Sequence, residues 1–125
     1  MSETSVTFRL RMGLSDTHYA DGLIPAASIM RLFADCASEL GIRNDGIDGF
    51  LAAYENVEFL QPLYAGDYVE IRAELASVGN RSRRINVAAY RTVRSKVLEN
   101  GLSGGTVLDP PELIAKALMV AVVPA

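Results

Sequence analysis

The sequence has very little of what metal sites and disulfides require. Its 125 residues include one cysteine, one histidine and no tryptophan. A lone cysteine excludes an internal disulfide, and with one histidine it cannot supply the ligands of a Cys/His zinc site. A basic excess is also missing, because 12 Lys and Arg face 15 Asp and Glu, for a net charge of −3. Neither nucleic acid nor an anionic membrane is therefore expected as a partner, although local basic patches are compatible with this charge.

Long apolar segments are absent as well. Residues 1–12 alternate polar and apolar side chains, unlike the core of a secretory signal. The apolar stretch from Leu113 to Val123 contains Lys116 and is shorter than the roughly 20 residues that span a bilayer. Half of the residues are hydrophobic and 22% are charged, the balance of an ordinary globular domain. We expect a cytoplasmic protein with a single domain over residues 1–125.

The first third of the chain predicts a strand and one long helix. Residues 6–12 have the two-residue alternation of a half-buried strand, and residues 15–22 form a polar loop with a glycine. Residues 26–40 place their apolar side chains on one broad helical stripe. Pro25 suits the first helical position, and Gly41 suits the position after the last turn.

The rest of the chain predicts strands. We expect four of them, at residues 54–60, 68–78, 81–94 and 113–123, with loops at 41–53 and 96–111. The last strand is almost continuously apolar, which is typical of burial on both faces. The order of elements indicates an α+β fold, an antiparallel sheet curled around one helix. Because one helix covers only one face of the sheet, we expect a homodimer or a higher homo-oligomer.

Five short motifs lie in one collinear register between residues 6 and 95. They are Asp16-Thr17-His18-Tyr19, Asp35-Cys36-Ala37-Ser38-Glu39-Leu40, Val57-Glu58-Phe59, Pro62-Leu63-Tyr64-Ala65-Gly66-Asp67 and Val78-Gly79-Asn80-Arg81-Ser82. Together they resemble the β-alanyl-CoA and 3-aminobutyryl-CoA ammonia lyases, which are related to the hotdog thioesterases. The resemblance implies a hotdog fold, in which an antiparallel β-sheet wraps around one long central helix. It also implies a dimer that acts on acyl thioesters.

Two positions beside the implied acyl pocket depart from the resemblance. Asp21-Gly22 stands where the family has Gly-Asn, and Pro25-Ala26 stands where it has Asn-Gly. The substrate therefore need not be the small β-aminoacyl-CoA of these lyases. Related hotdog enzymes add an amine to an enoyl thioester held on an acyl-carrier protein, and that chemistry fits the departures equally well.

Elimination of an amine from a β-aminoacyl thioester needs a proton carrier at the α carbon and donors for the thioester oxygen. The expected N-cap, Ile24, has no side-chain oxygen, so the first-turn amides can be free to bind that oxygen. A helix start capped by solvent is the equally supported alternative. Asp35 and Glu39, four residues apart, share one helical face. The pattern alone favours two solvated carboxylates, whereas the resemblance favours Glu39 as the base and Asp35 as the partner of the amine.

Several further residues acquire candidate roles from the resemblance. His18 is an alternative proton carrier, Tyr19 lines the pocket, and Gly22, Pro25 and Ala26 lie beside it. Glu58 is either an exposed strand residue or a polar group that reaches the pocket across the subunit interface. Cys36 falls on the apolar stripe and is expected to be a small buried side chain.

Arg81, Arg83 and Arg84 follow the Gly79-Asn80 turn. Such a patch suits the phosphates of coenzyme A or of a phosphopantetheine arm, and it would attract an acidic carrier protein. A solvated hairpin end explains the same residues equally well.

The sequence therefore indicates an enzyme that adds ammonia or an amine to an enoyl thioester, or eliminates it, reversibly at the β carbon. A hotdog thioesterase is the second hypothesis, in which the same carboxylate activates water. A non-catalytic acyl-binding module is the third. No cofactor is expected beyond the coenzyme A or phosphopantetheine that carries the substrate, and no metal is expected.

Overall fold

The computed structural model describes residues 4–17 and 19–124. Its elements, in chain order, are β1 (Ser5–Arg11), a short 3-10 turn (Leu14–Asp16), α1 (Ala26–Asp45), β2 (Phe50–Phe59), β3 (Tyr68–Val78), β4 (Ser82–Val97) and β5 (Ser103–Val122). The predicted order of strand, helix and four strands is confirmed. The long helix α1 does not have the length and apolarity needed to cross a membrane, nor does any other described helix.

The five strands form one antiparallel sheet in the order β1-β3-β4-β5-β2. Helix α1 packs across it, mainly on β3 and to a lesser degree on β1 and β4. Phe33, Cys36 and Leu40 of the helix are buried against inward-facing residues such as Ile71 of β3 and Val87 of β4. These contacts make one core on one face of the sheet, so the α+β architecture expected from the pattern is confirmed.

The start of α1 differs by one residue from the expectation. Pro25, not Ile24, is the N-cap, with extended φ and ψ of −69° and 150°. Ile24 precedes it and is buried. Since neither residue has a side-chain acceptor, the expectation that no side chain caps the helix holds at the corrected position.

The predicted end of α1 at Gly41 is wrong. The helix continues to Asp45, and Gly46 ends it in the left-handed conformation, with φ at 79°. A Cβ atom on Gly41 would lie 3.0 Å from the carbonyl oxygen of Asp48 and 3.2 Å from that of Ile47. Glycine at 41 therefore allows the following chain to approach the helix closely. In the sequence, a glycine with this role cannot be distinguished from one that ends a helix.

Three strands are longer than predicted, and β4 continues to Val97, beyond the expected end at residue 94. β2 begins at Phe50, because its first residues pair with the end of β5 near Val122. β5 begins within the predicted loop 96–111, and Ser103 pairs with Val97 of β4. The register shifts between the pairs Arg91–Glu112 and Val93–Val107. Residues 108–111, which include both prolines, fall within this shift, so their missing N–H groups cost the ladder little.

The outer face of the sheet is only partly covered within one chain. In β5, Ile114, Ala115, Ala117 and Met119 are buried, whereas Lys116 is exposed and Leu118 is half-buried. The expectation that this strand is buried on both faces is therefore not met within a single chain.

The two edges of the sheet differ in character. On β2, Phe50 is 71% exposed and Phe59 is 45% exposed. On β1, Arg9 and Arg11 are exposed. Charged side chains discourage pairing with another strand, whereas exposed apolar ones favour it.

Candidate active site

An apolar groove lies at the start of α1. One wall is formed by Leu23, Ile24, Ala26 and Ile29, and the other by residues 59–63, which lead away from β2. The groove has a volume of about 280 Å³. Every described residue that lines it is apolar except Gln61. Such a surface suits a short hydrocarbon chain.

Backbone hydrogen bonds hold the two walls together. The Ile24 amide donates to the Leu63 carbonyl over 2.8 Å, and the Ala65 amide donates to the Gly22 carbonyl over 2.9 Å. The amide of Leu60 donates to the carbonyl of Ile114 in β5 over 2.7 Å. The groove is therefore fixed to the sheet on one side and to the helix on the other.

The helix start carries the donors of the groove. No side chain caps α1 at Pro25. The Ser28 hydroxyl donates instead to the backbone oxygen of Asp16 over 3.2 Å. No side chain therefore caps the first-turn amides of Ala26 and Ala27. These amides lie at the end of the helix that carries partial positive charge. Amides in this position can stabilise the oxygen of a bound thioester as negative charge develops on it.

Some of the sequence-predicted site residues meet at this groove. Ala26 lines the groove. Gly22 supports it through the bond that its carbonyl accepts from Ala65, and Pro25 is the N-cap of the helix whose first turn borders the groove. Tyr19 lies in the exposed turn before this wall, where its carbonyl accepts a bond from the Gly22 amide over 3.1 Å. His18 lies outside the described residues.

The two helix carboxylates do not reach the groove within one protomer. At 1.5 Å per residue, Asp35 lies about 14 Å and Glu39 about 20 Å along the helix axis from Ala26. Asp35 forms an ion pair with Arg31 at 3.4 Å, and Glu39 forms one with Arg43 at 2.9 Å. Both carboxylates are partly exposed to solvent.

Two groups beside these carboxylates have raised pKa values. Burial, reinforced by the charge of Glu39, raises the pKa of the Cys36 thiol to about 11. This thiol contacts the backbone oxygens of Val6 and Ile71 and is fully buried, as expected. Burial and then the charge of Asp35 raise the pKa of the Tyr54 hydroxyl on β2.

Glu58 lies on the outer face of the sheet and not in the groove. Its carboxylate is 3.8 Å from the ammonium group of Lys116. Both side chains, with Arg72 and Tyr90, border a wide depression of about 590 Å³ on that face.

The predicted arginine patch lies at the other end of α1, about 30 Å from the groove along the helix axis. Arg83 binds Asp45 through two hydrogen bonds of 3.0 Å, and the two side chains are only 13% and 15% exposed. Arg84 pairs with Glu55. Arg83 is therefore already neutralised by Asp45, which argues against its predicted part in a phosphate-binding patch. Arg81, whose Nε donates to the Val123 carbonyl over 3.1 Å, is more exposed than Arg83 and Arg84.

A buried ion-pair cluster beside the groove was missed by the sequence analysis. Asp67 accepts bonds from Arg91 at 2.8 Å and from the amides of Tyr64 and Ser95 at 3.0 Å each. The signal was present in β4, whose apolar alternation through Val87 and Ala89 places Arg91 on the buried face. A charged residue at such a position needs a buried partner.

Within residues 4–17 and 19–124, no group of three His, Cys, Asp or Glu side chains is placed to hold a metal ion.

The chain combines a sheet that wraps one helix with a groove at the uncapped start of that helix, and this architecture can be compared with known protein families. Residues 25–97 match the family model of the thioesterase superfamily, and the chain belongs to this superfamily. The fold is also that of a hexameric hotdog-fold thioesterase of Campylobacter jejuni, with a TM-score of 0.72 and 19% identity over 94% of this chain and 81% of that one. The expected hotdog fold is confirmed.

Two more similar proteins are ammonia lyases. The 3-aminobutyryl-CoA ammonia lyase of Acetoanaerobium sticklandii is 38% identical over 116 residues, which cover 93% of this chain and 91% of the relative. The structure of β-alanyl-CoA:ammonia lyase from Clostridium propionicum superposes with a TM-score of 0.89 and 27% identity, over 98% of this chain and 87% of that one. The resemblance stated from the motifs is confirmed.

Proposed function

We propose that the protein catalyses the reversible addition of ammonia or an amine to an enoyl thioester, and the reverse elimination from a β-aminoacyl thioester. The observation that carries this proposal is similarity along almost the whole chain to two ammonia lyases named for aminoacyl-CoA substrates. The apolar groove, with amide donors at one end, supports it, since the acyl chain and the thioester oxygen need these two environments.

In the elimination direction, a base removes a proton from the α carbon, and the electron pair moves onto the thioester oxygen. The amides of Ala26 and Ala27 stabilise this oxygen. The pair then returns to form the double bond between the α and β carbons, and the carbon–nitrogen bond breaks. The β-ammonium group leaves as a neutral amine, and the proton remains on the base. Addition follows the same steps in reverse.

The base must come from beyond the described groove wall, which contains no carboxylate. We retain Glu39 as the base and Asp35 as the partner of the amine, both supplied by a second copy of the chain. Their distance from the first turn of their own helix favours this arrangement over one within a single protomer. His18 and Glu58 are the alternatives.

We further propose that the second copy pairs along β2. Antiparallel pairing of two β2 edges would bury the exposed Phe50 and Phe59 and would place the Phe50 end of one strand beside the Phe59 end of the other. The C-terminal part of one α1 would then approach the groove of the partner. In light scattering at micromolar concentration we expect a dimer or a multiple of it.

A matched pair of variants tests this interface. Phe50→Glu should give monomers, whereas Val97→Glu, at a position equally exposed but away from β2, should not. A monomeric wild-type protein would refute both the interface and the composite site.

The acyl carrier is a coenzyme A or a phosphopantetheine arm, with an acyl-carrier protein as a potential partner and no additional cofactor. Both carriers are found inside cells, and we retain the cytoplasm as the proposed location.

The function is tested by incubating the protein with an enoyl thioester, with and without ammonia or glycine, and recording product masses. We expect the mass of the added amine. Free acid would instead favour a thioesterase, and no turnover in any combination would favour an acyl-binding module. A saturated acyl thioester is the matched control, because it can be hydrolysed but cannot add an amine.

A further inference from the structure

A second cavity adjoins the groove. It has a volume of about 320 Å³ and shares Gln61 and Pro62 with the groove wall. On its far side lie Arg91, Arg94 and Ser95 of β4. A ligand that extended from the groove past residues 61–62 would meet the arginine side chains that line this cavity.

Arg91 makes this cavity a built polar site. Its side chain is only 4% exposed, and it is held between Asp67 at 2.8 Å and Glu112 at 2.9 Å. Its Nε atom is buried and has no hydrogen-bond partner among the described residues. Native proteins leave few buried donors unsatisfied, because each costs free energy. The unpaired donor lies in a residue that lines the cavity.

Arg94 is the accessible cation of the cavity. Its guanidinium shares the Glu112 carboxylate with Arg91, over 2.9 Å, and its side chain is about half exposed. One carboxylate thus serves two arginines, which leaves Arg94 able to bind a second anion.

Arg11 stands at the rim. Its Nε donates to the Gly66 carbonyl over 3.0 Å, and its guanidinium lies 5.0 Å from the centre of the Tyr68 ring. A Cβ atom on Gly66 would lie 3.0 Å from the hydroxyl of Ser95 and 3.9 Å from the guanidinium of Arg11, so Arg11 is next to the cavity. In the described part of the chain, no carboxylate pairs with it. Three arginines therefore face two carboxylates, Asp67 and Glu112, which leaves one positive charge in a protein whose net charge is −3.

We infer that this cavity binds the phosphate ester of the substrate's pantetheine arm. Arg94 and Arg11 contact the phosphate, and Arg91 is a positioning residue that holds Glu112 and the cavity wall in place. The acyl group lies in the groove, the arm passes Gln61 and Pro62, and the phosphate ends at Arg94. The inference rests on the proposed function for the nature of the ligand, and it places the phosphate in the cavity beside the groove instead of at the Arg81 patch of the same protomer.

Binding, measured without turnover, tests the inference. Isothermal titration calorimetry compares pantetheine, which has no phosphate, with 4′-phosphopantetheine, which has one. We expect the wild-type protein to bind the phosphorylated compound on the order of tenfold more tightly, the effect of one charge-assisted contact at a half-exposed site.

Arg94→Gln should abolish most of this difference while leaving pantetheine affinity unchanged, and Arg11→Gln should reduce it. Arg9→Gln is the matched control. Arg9 lies two residues from Arg11 on β1, but it already pairs with Glu70 at 3.1 Å, so the preference for the phosphate should persist.

Three results would overturn the inference: equal wild-type affinity for the two compounds, an equal loss for both in Arg94→Gln, or a loss of the preference in Arg81→Gln instead of Arg94→Gln. The outcome does not depend on turnover, so an inactive protein would refute the proposed function and leave this measurement to decide the phosphate site. Wild-type affinity for coenzyme A identifies the carrier. Tighter binding than phosphopantetheine points to coenzyme A, and equal binding points to the prosthetic group of a carrier protein.

Discussion

The two ends of α1 are finished in opposite ways. At the start, Pro25 offers no capping side chain, and the adjacent surface is apolar and open. At the end, Gly46 donates its amide to the Ile42 carbonyl over 2.8 Å, and Arg83 closes over Asp45. The closed end contributes stability to the fold, whereas the open end leaves donors that a ligand can use. The two ends of one helix therefore differ in what they leave for a ligand, and the proposed site lies at the end without a capping side chain.

The largest expected effect concerns the middle of the helix, where the proposed composite site takes a carboxylate from one copy to serve the uncapped helix start of the other. Glu39→Gln keeps the side chain's shape and should lower turnover by about 10²–10⁴-fold, the usual contribution of an acid–base group. Asp35→Asn should cost less, mainly at low amine concentration. Steady-state kinetics on both variants is the measurement. Near-wild-type turnover in both would show that the helix carboxylates take no part and would leave His18 or Glu58 as the base.

A capping side chain can be added at the start of α1, where Pro25 provides none. Pro25→Asp supplies a side-chain acceptor for the first-turn amides, and its charge opposes the developing oxyanion. We expect turnover to fall by about 10²–10³-fold, while the free energy of unfolding stays level or rises by about 1 kcal/mol. Pro25→Ala, which removes the ring without adding a cap, should retain at least about tenfold more activity than Pro25→Asp. A fully active Pro25→Asp enzyme would argue against an oxyanion site at the helix start.

The closed end should matter for stability. Arg83→Met leaves the carboxylate of Asp45 mostly buried without its partner, and we expect a loss of about 2 kcal/mol in the free energy of unfolding. Arg84→Met is the control, because its pair with Glu55 is about 40% exposed on both sides and should contribute less than about 1 kcal/mol. Urea unfolding of the two variants gives both numbers, and similar losses would contradict the distinction.

The smallest effect is expected at the C-cap. Gly46 has φ at 79°, and a Cβ atom there would contact nothing within 4 Å. Gly46→Ala should therefore cost about 1 kcal/mol through backbone strain alone. Gly46→Asn should cost less, because asparagine tolerates this conformation better. Thermal unfolding compares the two variants, and equal stabilities would show that the conformation at residue 46 is not the cause.

The sequence predicted best where one periodicity acts alone. The bounds expected for β3 are those observed, because its alternation is strict and a glycine turn follows it. The predictions were wrong where one residue type, glycine or proline, is compatible with two different local structures. Gly41 was interpreted as a stop but serves a close backbone approach, and the prolines of 108–111 were interpreted as a loop but occupy a register shift within β5.

The candidate site shows the same division. Ala26 lines the groove, and Gly22 and Pro25 lie within four residues of it in the chain, so their closeness to each other follows from the sequence alone. By contrast, Arg83 pairs with a carboxylate 38 positions away in the sequence, and Arg91 pairs with one 24 positions away. Adjacency in the sequence cannot decide whether such an arginine is free or neutralised.

The hydrogen bonds of Asp67 have a consequence for the range of substrates. This one carboxylate holds the turn that follows the groove wall, through the Tyr64 amide, and ties that turn to β4 through Ser95 and Arg91. Several hydrogen bonds thus hold the backbone on the sheet side of the groove, so a single substitution there should not change its shape without a loss of stability. The helix side consists of separate apolar side chains, such as Leu23 and Ile29, that can be exchanged individually. A change in the acyl group that this scaffold accepts should therefore arise by substitutions on the helix side of the groove. The side held by Asp67 should keep its shape, so the substrate must fit against it.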